Sequence, residues 1–217
     1  QFSSFKDACL SVCQSPLRVL LILEDLMLEW LFKMIKALAF IYKKEGFDDS
    51  DFQIYYEKNH APLATSLLNF EGYERNYINA EINPLYASLG SISIFQYQSV
   101  ESLKIIEEQM SSDAGDILRE DELKFMNVDK NYFVLTQSHQ LTVQRFKKKI
   151  FYPCNHEEDL SSLNFYDGLE KISDNLVIEP IDMMGIAEYG INEKASFEEL
   201  EKLIQEHPKA ILASCVC

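Results

Sequence analysis

Residues 34–63 read MIKALAFIYKKEGFDDSDFQIYYEKNHAPL, and this stretch decides the fold. Its opening, Met34 to Tyr42, is an apolar run with the composition of a strand. Gly46 then turns the chain. Asp48 reads as a helix N-cap, and Asp51, three residues on, makes an imperfect capping box. The helix is expected to run to about His60, with Pro62 at its end. Along it Phe52, Tyr56 and His60 stand at i, i+4 and i+8, so they share one stripe, flanked by Tyr55 and Asn59.

Working outward, strand and helix signals alternate. A strand is expected over Tyr73 to Ala80, after the turn at Gly72, and another over Ser91 to Tyr97, where Ile92 and Ile94 alternate with polar neighbours. A helix follows over Val100 to Met110 and a shorter helical piece over Gly115 to Leu123. Tyr132 to Ser138 is a fourth strand. The order strand, helix, strand, strand, helix, strand is the ferredoxin-like plan, two helices on one face of a sheet.

The plan recurs in shorter form. Val143 to Tyr152 reads as a strand, Glu157 to Ile172 as a helix, and Leu176 to Ile181 and Gly185 to Ile191 as strands. Ser196 and Glu199 form a capping box for a helix through His207, and Lys209 to Cys217 is a final strand. The fold class is therefore α+β, with tandem ferredoxin-like halves over 34–140 and 141–217. Two such sheets are expected to pack face to face, so that one chain supplies both halves of a barrel. Residues 1–33 differ in composition. They read as one apolar helix-like stretch from Pro16 to Phe32, an extension expected to be dispensable to a domain that starts at Met34.

Composition limits the function. The 217 residues carry 47% hydrophobic side chains, enough for a substantial core, and a formal net charge of −15. That charge argues against nucleic acid as a partner, because phosphate backbones need a basic face. Lys147, Lys148 and Lys149 form a short run that reads as strand-end solvation or edge protection. Leu17 to Phe32 contains Arg18, Glu24, Asp25 and Glu29, which spoils both a membrane span and a signal peptide. Cys9, Cys13, Cys154, Cys215 and Cys217 are odd in number and lack disulfide-framework spacing, so reduced thiols in a cytoplasmic protein are expected. The same spacing offers no metal site.

Gly46 to Leu63, ending in His-Ala-Pro-Leu, resembles the EthD family pattern. Phe70-Glu71-Gly72-Tyr73-Glu74-Arg75-Asn76-Tyr77 is similar to that family's turn into its second strand. Asp121-Glu122-Leu123-Lys124-Phe125-Met126-Asn127 resembles its acidic Asp-Glu-x-x-Phe segment. These matches cover about half of the chain, residues 34–140, and the second half has no His-Ala-Pro-Leu, so a family site would be single. The resemblance implies a dimeric α/β barrel with an apolar cavity between sheet and helices. Related barrels include cofactor-independent cyclases, isomerases, decarboxylases and monooxygenases acting on aromatic or polyketide-like molecules. The fold is implied far more firmly than the reaction.

The candidate catalytic residue is His60, whose imidazole can exchange protons near neutrality. At a helix C-terminus the dipole would favour its cationic form; the alternative role is capping carbonyls. Candidate substrate contacts are Tyr55, Tyr56, Asn59, Tyr73, Asn76 and Tyr42. Tyr77 is a further pocket candidate, and Tyr42 and Tyr97 are interior candidates by strand parity. His139 is expected to be exposed, and His156 and His207 to cap helices. Neither a Ser-His-Asp set nor a phosphate loop is present. Haem binding, as in some related barrels, lacks a separately placed axial-ligand signal.

Two functions fit. One is a cofactor-independent lyase, isomerase or cyclase that binds a small hydrophobic molecule, with His60 as general acid/base and a tyrosine stabilising an enolate. The other is a non-catalytic binding or accessory protein using the same cavity. Neither needs a cofactor or a membrane, and a homodimer is compatible with both.

Overall fold

Side chains alternate along each strand, and this alternation divides the molecule into a barrel interior and an outer face covered by helices. The computed structural model describes residues 34–178 and 183–216. The elements run β1 (Met34–Tyr42), α1 (Asp49–Tyr55), a π-helical turn (Tyr56–His60), α2 (Ala61–Leu67), β2 (Gly72–Ile78), β3 (Leu89–Tyr97), α3 (Val100–Met110), α4 (Asp113–Phe125) and β4 (Tyr132–Gln140). The second half continues with β5 (Lys148–Cys154), β6 (Leu169–Val177), β7 (Gly185–Ile191), α5 (Phe197–Glu206) and β8 (Ile211–Val216). The expectations for residues 1–33 and Cys217 lie outside the described residues.

The strands close into one barrel in the order β1-β3-β2-β8-β5-β7-β6-β4, with every pair antiparallel. Within it β4-β1-β3-β2 and β6-β7-β5-β8 are two sheets of the same ferredoxin-like order. This is the dimeric α/β-barrel fold completed within a single chain. The inner faces of the two halves pack against each other, as expected, and the halves also join along their edges, β2 to β8 and β4 to β6. Edge pairing satisfies the backbone groups that two separate sheets would leave open.

The interior has an apolar part and a charged part. Leu38, Phe40, Ile78, Ile92, Ile94, Val134, Phe151 and Ile186 pack together. Beside them lies a charged quartet, three members buried and Glu74 partly so. Lys36 Nζ contacts Glu188 Oε2 at 3.2 Å, and Lys149 Nζ contacts Glu188 Oε1 at 2.8 Å and Glu74 Oε1 at 2.6 Å. Lys149 of the expected surface run therefore points inward. The lysines hold Glu188 down at about 2, against the upward push of burial.

On the outer face of the first sheet, Ala37, Ala39, Ile41, Phe95 and Tyr97 meet the helices. Asp48 caps α1 by accepting from the Asp51 N–H at 2.7 Å. Phe52, Tyr56 and Phe125 are fully buried under that layer, each contributing about 1.5–3 kcal/mol by removal from water. Gly90 makes this approach possible: a Cβ there would lie 2.5 Å from the Phe52 ring.

Two local expectations are corrected. The helix does not stop at His60. The Ala61 N–H donates to the Tyr56 carbonyl five residues back, and the helix resumes through Leu67 with Pro62 in its first turn. The π turn resets the hydrogen-bond ladder just where proline could not have continued it. The expected helix over Glu157 to Ile172 is a 3₁₀ turn, Glu157–Ser161, followed by a loop and by β6 from Leu169. Its apolar residues mimic helical spacing, but Ser173 and Asn175 are drawn inside the barrel, where both reach hydrogen-bond partners. The expected strand end at Ile181 falls partly outside the described residues.

Candidate functional site

A cavity of about 530 Å³ lies between the outer face of the first sheet and the π turn with helices α2 to α4. The small side chains of Ala37, Ala39 and Ala64 leave the room. Phe70, Tyr73, Phe95 and Tyr97 form an aromatic wall, in which Tyr73 and Phe95 stack at 4.8 Å between centroids. Leu103, Ile106 and Met110 of α3 supply the opposite side. Phe133 and Glu107, both exposed, mark its approach to the surface.

His60 lines this cavity although its side chain is buried. Its Nδ1 lies 3.0 Å from Asp121 Oδ2. Asp121 is itself buried. It also accepts from the Tyr55 hydroxyl at 2.8 Å and, more weakly, from Lys124 Nζ at 3.4 Å. Burial holds the His60 imidazole below its ordinary range, and the Asp121 carboxylate offsets only part of that. Burial alone would raise Asp121, but the bonds from Tyr55 and His60 outweigh it and keep the carboxyl below its usual range. An ionised Asp121 can only accept, so Nδ1 carries the imidazole proton. Nε2, without a hydrogen-bond partner among the described residues, is then the basic atom.

Beside His60 the Tyr73 hydroxyl donates to that of Tyr56 at 2.9 Å, and Tyr56 meets Ser93 Oγ at 3.0 Å. Burial pushes Tyr56 up to about 12, with the bonds to Ser93 and Tyr73 opposing. Tyr73 is also raised well above its ordinary value, first by burial. Both hydroxyls therefore stay neutral near pH 7. They can donate hydrogen bonds but do not act as bases.

The other sequence candidates separate. Tyr55 reaches the site through Asp121, from behind. Asn59 is exposed, its amide turned back to the Tyr55 carbonyl at 3.3 Å. Asn76 is buried inside the barrel, donating to Glu74 and to the Ile92 carbonyl. Tyr42 packs against the barrel core, whereas Tyr97 faces the cavity. Tyr77 donates to Glu57 at 2.6 Å instead of lining the cavity. His139 is exposed, as expected; His156 and His207 sit at helix boundaries, but the His207 ring bonds the Tyr166 hydroxyl at 2.9 Å instead of capping its helix. The residue that sequence reasoning missed is Asp121. It stood in the quoted Asp-Glu-x-x-Phe segment, but nothing in the spacing links it to a histidine 61 positions away.

No family model matches the chain, and no curated protein is significantly similar to it. Solved structures do match. A candidate chlorite dismutase is 10% identical with a TM-score of 0.51, over 85% of this chain and 95% of that one. A chlorite dismutase variant from Candidatus Nitrospira defluvii is 8% identical with a TM-score of 0.50, over 89% and 95%. An EthD family protein from Bacillus halodurans is 21% identical with a TM-score of 0.35, over 47% of this chain and 95% of that one. At these identities the likeness to the two chlorite dismutase structures establishes the barrel fold and leaves the chemistry to the site. Among the described residues no helix is long and apolar enough to cross a membrane.

Proposed function

We propose that this chain is an EthD-like, cofactor-independent enzyme that moves a proton next to a carbonyl in a small hydrophobic molecule, as an isomerase, cyclase or lyase does. The observation that carries this reading is the His60–Asp121 pair in the wall of an aromatic cavity. His60 Nε2 takes a proton from the carbon beside the carbonyl, and the electron pair moves onto the carbonyl oxygen. Asp121 stabilises the imidazolium that forms. The imidazolium then returns the proton to the same or a neighbouring carbon, so no oxidant or reductant is consumed. The Tyr73 hydroxyl, on turning from Tyr56 to the ligand, supports the developing oxyanion.

A binding or accessory role is favoured by one feature. Asp121 joins Tyr55 and His60 on one helical layer to α4, which is also what a structural tie would do. Solvent-deuterium exchange separates the two. A panel of aryl ketones and β-diketones in D₂O, followed by NMR, should show exchange at the carbon next to the carbonyl. His60→Ala should slow it by about 10²–10⁴-fold with the fold intact, and His60→Gln should restore stability more than rate. If His60→Ala lowers the melting temperature while exchange or binding persists, the catalytic role is lost and the barrel alone remains. Native mass spectrometry of the purified protein identifies any co-purified molecule. A coloured, metal-containing one would overturn the cofactor-independent reading.

A further inference from the structure

The cavity wall is charged with one sign only. Among the described residues its ionisable side chains, the neutral tyrosines apart, are His60, Glu107 and Glu122, with neither lysine nor arginine. The nearby cations are committed elsewhere. Arg75 lies over the Tyr73 ring at 4.9 Å but makes two bonds to Glu57, each of 3.0 Å. Arg119, half exposed, binds Asp116 and the Met110 carbonyl, and the mostly exposed Lys124 reaches Asp121.

Glu122 follows Asp121 on α4 and turns to the cavity, where it acts electrostatically on Tyr56 at the His60 end. Its carboxylate makes neither a hydrogen bond nor an ion pair with any described residue. Burial therefore raises it above the ordinary carboxylate range; Arg119 opposes the shift and Asp121 adds to it. A half-buried carboxylate with no cation in ion-pair contact is costly, and a cation delivered by a ligand relieves that cost. The aromatic wall offers ring faces, which also attract cations.

We propose that the cavity selects a cationic ligand, a small aromatic molecule bearing a basic amine, with Glu122 as the counter-ion that places the amine at the His60 end and Glu107 at the rim. This rests on the cavity reading above and narrows its ligand class. Anionic aromatics are excluded by the same two carboxylates.

The test is calorimetric titration of the full chain at pH 7.5 with phenethylamine, 2-phenylethanol and 3-phenylpropionate, which share a ring and differ in charge. Phenethylamine should bind at least about tenfold more tightly than the other two, and Glu122→Gln should narrow the gap to within about threefold. If the alcohol or the carboxylate binds as well as the amine, the charge selection is overturned while the cavity reading stands. A gap that survives Glu122→Gln overturns the role of Glu122. If none of the three binds, both the selection and the cavity reading fall.

Discussion

Burial keeps His60 neutral, and no helix end charges it. The π turn and α2 carry the helix past it, so the dipole that would favour the imidazolium is absent, and desolvation favours the neutral ring. This has a definite sign. The folded chain binds the His60 proton less readily than the unfolded chain, whose histidine titrates near 6.5. Stability is therefore expected to decline as pH falls below about 6.5, toward the lower pKa of the folded state. Denaturant midpoints measured from pH 8 to 5 check this, and His60→Gln should flatten that part of the profile. The acid limb of any catalysed exchange should likewise have its midpoint below 6.5; a midpoint above it would show that Asp121, not burial, governs the ring.

At the scale of elements, short side chains finish what the strands begin. β2 pairs with β8 only as far as Ile78 opposite Ala213. Beyond that point Asn83 takes over as a surrogate strand. Its amide donates to the Leu212 carbonyl and accepts from the Leu212 N–H, both at 2.9 Å. Asn83→Ala would strand both backbone groups in a buried place, at a cost of about 2–4 kcal/mol. Equilibrium unfolding in urea measures it. A loss under about 0.5 kcal/mol would mean that the loop re-forms the bonds without the side chain.

At the scale of the molecule, the two halves are keyed to each other by charge. Lys36 and Glu74 come from the first half and Lys149 and Glu188 from the second, and each lysine contacts a glutamate of the other half. Glu188→Gln would leave two buried lysines short of their shared counter-charge, and is expected to cost about 3–5 kcal/mol in chemical denaturation. The folded pKa of Glu188, near 2, lies below its unfolded value of 4.5. Its contribution to stability is thus present above about pH 4.5 and lost as pH falls toward 2, and the Gln variant should lack that acid dependence.

Local pattern alone determined much of this protein. The first-half strands and helices, the Asp48 and Ser196 caps and the ferredoxin-like succession of strands in both halves were legible, because apolar spacing, caps and glycine turns act within a few residues. His60 was legible as a candidate from its stripe and its His-Ala-Pro-Leu setting. Its partner was not, since Asp121 lies on another helix and only packing brings the two within 3.0 Å. The same holds for Asn76 and Tyr42, which strand parity could have placed on either face, and for the false helix before β6. Tertiary structure alone decided which face is the barrel interior, because closure couples the parity of all eight strands at once. That closure put the charged quartet inside the barrel and His60 in the wall of a cavity outside it.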